Sequence, residues 1–163
     1  MKETLIQINR LKDIGVYTIS DIFPGLEEKP ILLEIFGSAD RVSQVLAGTK
    51  IKVIQRQTYM FVDNDNGTIS IGKKHLQESD DKILYLDIIH ELVHVRQHLE
   101  GLNLYDRSVS YVDRPTEIEA YAFTVDEARR IGLNEEEILD YLNVEWITAE
   151  EHNRLARRLN LKV

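Results

Sequence analysis

One helical turn separates the two histidines of His90-Glu91-Leu92-Val93-His94, and that spacing constrains this chain more than any other feature of it. The five residues lie inside LDIIHELVHVRQHLEG, Leu86 to Gly101, whose Leu, Ile and Val positions demand burial. Burying two imidazoles and a carboxylate without partners costs several kcal/mol, so the fold must supply partners for all three. On an α-helix, residues four apart lie about 40° apart around the axis, one turn above each other. Both imidazoles can therefore reach one ion. Glu91, about 100° round the helix from His90, is placed to address a water beside that ion. Zinc accepts imidazole nitrogen at roughly 2.0–2.1 Å and, when catalytic, takes three protein ligands and a water.

The third ligand has to come from another element. Downstream, DRPTEIEAYAFTVDEARR reads as a helix with Asp113 near its start, Pro115 in its first turn, and acids at Glu117 and Glu119. Glu119 is the preferred ligand, because Ala120, Ala122 and Phe123 follow it and let this helix press against the one that carries the histidines. Glu117 stays open as the alternative; it is nearer the helix start, where a carboxylate is favourable for its own sake. The expected centre is then Zn2+ on His90, His94 and Glu119, with Glu91 as the base.

Around this motif the chain divides into three coarse regions of one domain, 1–163. Residues 1–50 read as a helical N-terminal part, with a helix start at Ser38, a stop at Gly48, and loops at Phe23 to Gly25 and at Lys29-Pro30. Residues 51–130 form the core of the reading. IKVIQ, TYMFVD and GTISIG are rich in β-branched and aromatic residues, and Asn66-Gly67 carries a hairpin signal, so a small antiparallel sheet is expected. Helices follow at about Asp81 to Leu99 and Pro115 to Arg130. Residues 131–163 form a helical tail, with helices at Asn134 to Leu142 and Thr148 to Leu159, opened by capping boxes or close variants. The fold class expected is α+β, compact and zincin-like: a small antiparallel sheet, an active-site helix and a glutamate helix, with extra helices at both ends.

HELVH followed by EIEAYAF resembles the gluzincin zinc metallopeptidases, and more closely the minimal gluzincins and the peptidase domains of the ImmA/IrrE family. The resemblance runs from about Ile51 to Arg130 and is specific at His90, Glu91, His94 and Glu119. It implies peptide-bond hydrolysis at zinc, a sheet whose edge strand holds an extended substrate, and Glu119 as third ligand, since that acid directly precedes the alanine. Phe123 stands four residues after Glu119, where thermolysin-like gluzincins place an aspartate that orients a histidine, so that partner must be found elsewhere. Minimal gluzincins also use a C-terminal segment as an inhibitor, which implies that the tail covers the cleft and holds the enzyme latent. The alternative for the tail, and for its lone Trp146 between Val144 and Ile147, is packing on the outer face of the glutamate helix.

Other features narrow the function. With no cysteine in 163 residues there is no disulfide, no thiolate zinc site and no cysteine nucleophile. MKETLIQINRLKDIG alternates charge with Leu and Ile, unlike a leader peptide, and no later run has membrane-spanning length, so a cytoplasmic location without membrane partners is expected. The net charge of −8 argues against nucleic acid. Arg154, Arg157 and Arg158 read as a solvated helix face. The partner expected is a peptide or an unfolded protein, held along Thr68 to Ile71; oligomeric state leaves no trace. Tyr105, Tyr111, Tyr121 and His98 are the candidates to donate to an oxyanion. His75 and His152 read as surface residues, and Asp87 as a solvent-facing acid that could instead pair with an imidazole. A metal-binding regulatory or scaffold protein with an occluded, inactive zinc site is the rival reading. A di-iron bundle is excluded, because no second E-x-x-H exists to match Glu91-x-x-His94.

Overall fold

The computed structural model describes residues 5–162, so Met1 to Thr4, at the start of the stretch read for a leader, and Val163 lie outside it. The fold is α+β, with eight α-helices and a mixed four-stranded sheet among the described residues. Strands β1 (Gly15–Thr18), β2 (Lys50–Ile54), β3 (Met60–Val62) and β4 (Ile69–Gly72) take the order β1-β2-β4-β3. The expected hairpin is present: β3 and β4 are antiparallel, and between them Asp63 N donates to Thr68 O at 2.8 Å while Gly67 adopts φ +75°. The expectation of an antiparallel sheet is corrected at β2 and β4, which pair in parallel. The chain leaves β2 past the width of one strand, lays β3 at the far edge, and returns β4 into the gap. That position explains why all four residues of β4 are buried. It also removes Thr68 to Ile71 as a substrate host, because β4 is hydrogen-bonded on both sides, and β3 is the free edge beside the cleft.

The N-terminal fifty residues are not wholly helical. β1 lies among them, because alternating Gly15, Val16, Tyr17 and Thr18 suit an edge with one covered face. Helices α1 (Ile19–Ile22), α2 (Pro30–Phe36) and α3 (Ala39–Gly48) follow, the last capped by Ser38, whose Oγ accepts from Arg41 N at 3.1 Å. A short helix α4 (Lys73–Glu78), without a sequence signal of its own, begins directly after β4.

Two long helices carry the rest. α5 (Asp81–Leu99) and α6 (Pro115–Arg130) span the ranges expected of them. α5 is buried almost all round, which suits a helix between the sheet and α6. α6 buries Glu117, Ala120, Tyr121, Thr124, Val125 and Ala128, a stripe at helical spacing, and Ala120 permits close approach to α5. Deeper along the pair, the Tyr85 hydroxyl donates to the buried Glu127 carboxylate, which also takes Arg130.

The tail forms α7 (Glu135–Leu142) and α8 (Ala149–Arg158), both opened by the capping boxes read from Asn134 with Glu137 and Thr148 with Glu151. Ile138, Leu142, Leu155, Ala156, Leu159 and Leu161 enter the common core. Arg154 and Arg158 are not a free solvated face: Arg154 Nε and Nη2 both donate to Asp113 at 3.0 Å, and Arg158 Nη2 adds a third bond at 2.9 Å. Asp113 is thereby held well below the usual carboxylate range, at about 2, chiefly by Arg154. Trp146 does not join the core but stays 53% exposed at the cleft.

Candidate metal centre

The sequence positions of the site turn on helical spacing. His90 and His94 project from the same side of α5 with their Nε2 atoms 3.1 Å apart and their rings nearly perpendicular. Donor atoms of His90, Glu91 and His94 all lie within 4.8 Å of one another, and all three residues are buried. Facing them across the helix pair is Glu117, whose Oε1 lies 2.8 Å from His94 Nε2 and whose Oε2 lies 3.2 Å from His90 Nε2. Burial alone would raise the Glu117 carboxyl, but His94 and His90 outweigh it and hold the group far below the usual range.

Glu119, preferred from sequence as the third ligand, is elsewhere. Its side chain is 44% exposed, pairs with Arg96, and accepts from Gln97 Nε2 at 2.9 Å. The reason is the α6 stripe: Glu117 is three, four and seven residues before Ala120, Tyr121 and Thr124 and points inward with them, whereas Glu119 falls two residues off that spacing.

Each histidine is held by its other nitrogen. His94 Nδ1 donates to Gln97 Oε1 at 2.7 Å, and Gln97 Nε2 donates onward to Thr116 O at 3.0 Å. On His90 the Nδ1 faces Thr124 Oγ1 at 3.4 Å, and that hydroxyl donates to Ala120 O at 2.7 Å. These contacts leave both Nε2 atoms turned towards the shared space, as metal ligation requires. Gln97 and Thr124 are the orienting partners that Phe123 could not be. Gln97 carried a legible signal, since it is three residues after His94 on the same helix face.

Glu91 is different from the other donors. Its Oε2 is buried and has no hydrogen-bond partner. Burial, opposed by His94 and reinforced by Glu117 and Asp87, pushes its carboxyl up to about 8. For His94 burial works downward, but the Glu117 carboxylate outweighs it and raises the imidazole to about 9.

His90, Glu91, His94 and Glu117 line a cavity of about 670 Å3. The β3 edge with Tyr59 before it, and residues of the tail from Asp140 to Trp146, form its walls. Tyr105, Tyr111 and Tyr121 all reach the cavity, but differ in what they offer. The Tyr105 hydroxyl donates to Val62 O. Tyr111 and Tyr121 hydroxyls meet at 2.7 Å, and the Tyr121 ring lies 4.4 Å from that of His90. His98 is not at the centre: it packs on the β3–β4 turn, where a Cβ on Gly67 would come within 2.7 Å of its ring.

Two residues read as solvent-facing belong to the wall. Asp87 accepts from Tyr141 Oη at 2.6 Å and from His75 Nε2 at 2.7 Å, and His75 Nδ1 meets Ser79 Oγ at 2.7 Å. His75 is buried, since α4 folds back beside α5. His152 also has a partner, the Leu139 carbonyl at 2.7 Å, which joins α8 to α7.

No protein-family profile, no curated protein and no solved structure matches this chain. Among the described residues, no helix is long and apolar enough to cross a membrane.

Proposed function

We propose that this chain is a zinc-dependent metallopeptidase that hydrolyses peptide bonds in extended or unfolded substrates. The observation that carries the reading is Glu91, a buried carboxylate with an unpartnered oxygen, set beside the nitrogens of His90 and His94 at an open cavity. Two imidazoles and one carboxylate are the donor set of many catalytic zinc sites, and Glu117 fits the third position by its approach to both histidines. His90, His94 and Glu117 would hold the ion, which when bound supplies Lewis acidity towards a water and a carbonyl oxygen.

The chain's own residues supply the rest. A peptide laid along the free edge of β3 would pair with its backbone and bring a scissile carbonyl over the histidines. Glu91 takes a proton from the attacking water on Oε2, an oxygen with no other hydrogen-bond partner, and delivers it to the leaving amine nitrogen. The Tyr111–Tyr121 pair holds two hydroxyl hydrogens and uses one in their mutual bond, so the other is free to donate to an oxygen that gains charge. Gln97 keeps His94 in the tautomer whose Nε2 is a lone-pair donor.

The rival reading, an occluded regulatory metal site, is less well supported, because His90, Glu91 and His94 all line a cavity of about 670 Å3. Metal analysis of protein purified without added zinc, with hydrolysis of an unstructured protein by wild type and Glu91→Gln, tests the proposal. One zinc per chain and activity only in the wild type support it; zinc without activity in either favours the regulatory site.

A further inference from the structure

The cleft's outer wall is chemically unlike its floor. Trp146 and Tyr59 are 53% and 40% exposed, although their ring centroids lie 6.0 Å apart at 45°. Tyr111 meets Trp146 edge-on at 5.5 Å. Three aromatic rings therefore converge from the tail, the β3 side and the segment before α6, and each covers its neighbour only in part. A half-exposed tryptophan among such rings is costly for water to solvate, and offers an electron-rich face to whatever enters. Two exposed carboxylates of the tail, Asp140 and Glu145, line the same cavity, and Glu145 raises the Tyr59 hydroxyl above its ordinary range. The cations nearby are engaged: Arg114 lies 6.0 Å over the Tyr111 ring and donates to Asp106 O and Val109 O, while Lys74 is 4.0 Å from Glu78.

We propose that this aromatic and acidic wall is a cage for a cationic side chain, so that the substrates preferred by the cleft carry lysine or arginine in the segment bound beside β3. The inference rests on the peptidase reading for its substrate but not for its geometry. Aromatic faces attract a cation whose charge is balanced by carboxylates alongside, and they hold the methylene stem of the same side chain by apolar contact. A neutral side chain of equal size gains the contact but not the charge. The chain's net charge of −8 also favours the approach of cationic peptides over anionic ones.

Trp146 is the single tryptophan, so its fluorescence reports on the cage directly. The probes are capped five-residue alanine peptides with a central Arg, Lys, Leu, Glu or citrulline, the last a neutral analogue of arginine. They are titrated into metal-free protein and, separately, into zinc-loaded protein. The Arg and Lys peptides are expected to saturate the Trp146 response at about tenfold lower concentration than citrulline or Leu, the scale of one cation–aromatic contact. The double variant Asp140→Asn, Glu145→Gln should lose most of that preference with unchanged thermal unfolding, because both side chains are exposed. Equal or tighter binding of Leu or citrulline, a preference unchanged in the double variant, or no Trp146 response to any peptide overturns the cage. Zinc-loaded protein that binds the Arg peptide but cuts none of the five keeps the cage and counts against the peptidase reading. Cutting without preference for a cation does the reverse.

Discussion

Glu119 Oε1 accepts the Gln97 amide at 2.9 Å, and so turns the Gln97 oxygen towards His94 Nδ1, 2.7 Å away. The acid that resembled a ligand stands two hydrogen bonds from His94, and acts on the orientation of that proposed ligand. Glu117→Ala removes one of the three proposed ligands and is expected to abolish tight zinc binding. Gln97→Ala should weaken it by about 10–100-fold, and Glu119→Ala by less, since the Thr116 carbonyl still anchors the amide. Competition with a chelator of known affinity ranks the three; a loss in Glu119→Ala as large as in Glu117→Ala would return Glu119 to the ligand set.

Glu91→Gln leaves His90, His94 and Glu117 in place and is expected to bind zinc as the wild type does. Hydrolysis should fall by about 10²–10⁴, the usual worth of a positioned base. Parallel metal titration and peptide assay decide it, and an active Gln variant would sink the mechanism.

Two raised groups set the pH response of metal-free protein. Glu91 titrates at about 8 in the fold against 4.5 in an unstructured chain, and His94 at about 9 against 6.5. Both hold their protons more firmly when folded, so their contribution is full below about 4.5 and 6.5, falls as pH rises, and is gone above about 8 and 9. Metal-free protein should therefore melt at lower temperature at pH 9 than at pH 7, and Glu91→Gln should reduce that drop. Zinc reverses the trend, because it needs His94 unprotonated, and its affinity should climb towards pH 9. Melting curves with and without zinc at both pH values check the sign.

Gly72 ends β4 where the chain passes beneath the strand-edge loop. A Cβ there would come within 2.2 Å of the Thr58 carbonyl oxygen, a backbone atom that cannot swing aside. Gly72→Ala is expected to cost about 1–3 kcal/mol of stability, as overpacking does. It should also displace Tyr59, whose carbonyl takes the Gly72 N–H at 3.0 Å. Chemical denaturation reads the first effect and peptide binding the second.

Helices α3, α5, α7 and α8 were legible because their caps and their periodicity agree. Asp80, Ser38, Asn134 and Thr148 each accept from a backbone N–H where a helix begins. His90, Glu91 and His94 were legible because their relation is internal to one helix. Glu117 was ranked second to Glu119 because its helix-start position was weighed instead of the stripe it shares with Ala120, Tyr121 and Thr124, which turns it towards His90 and His94. β1, α4 and the parallel pairing of β2 with β4 are short or depend on contacts far along the chain, which local propensity cannot encode. The bonds of Asp87 with His75 and Tyr141 join three helices and have no local signature at all.

Chain order gives the tail's position a further meaning. The side chains proposed to hold the metal, and the proposed base, all precede residue 131, whereas Asp140 to Trp146 and the arginines that fasten α8 to Asp113 follow it. Leu155, Ala156, Leu159 and Leu161, which close the core, come later still. The segment that follows α6 thus finishes two things together, the hydrophobic interior and the wall of the cleft. The proposed chemistry and the proposed selectivity are encoded in different stretches of the chain, and the docking of α8 brings them together.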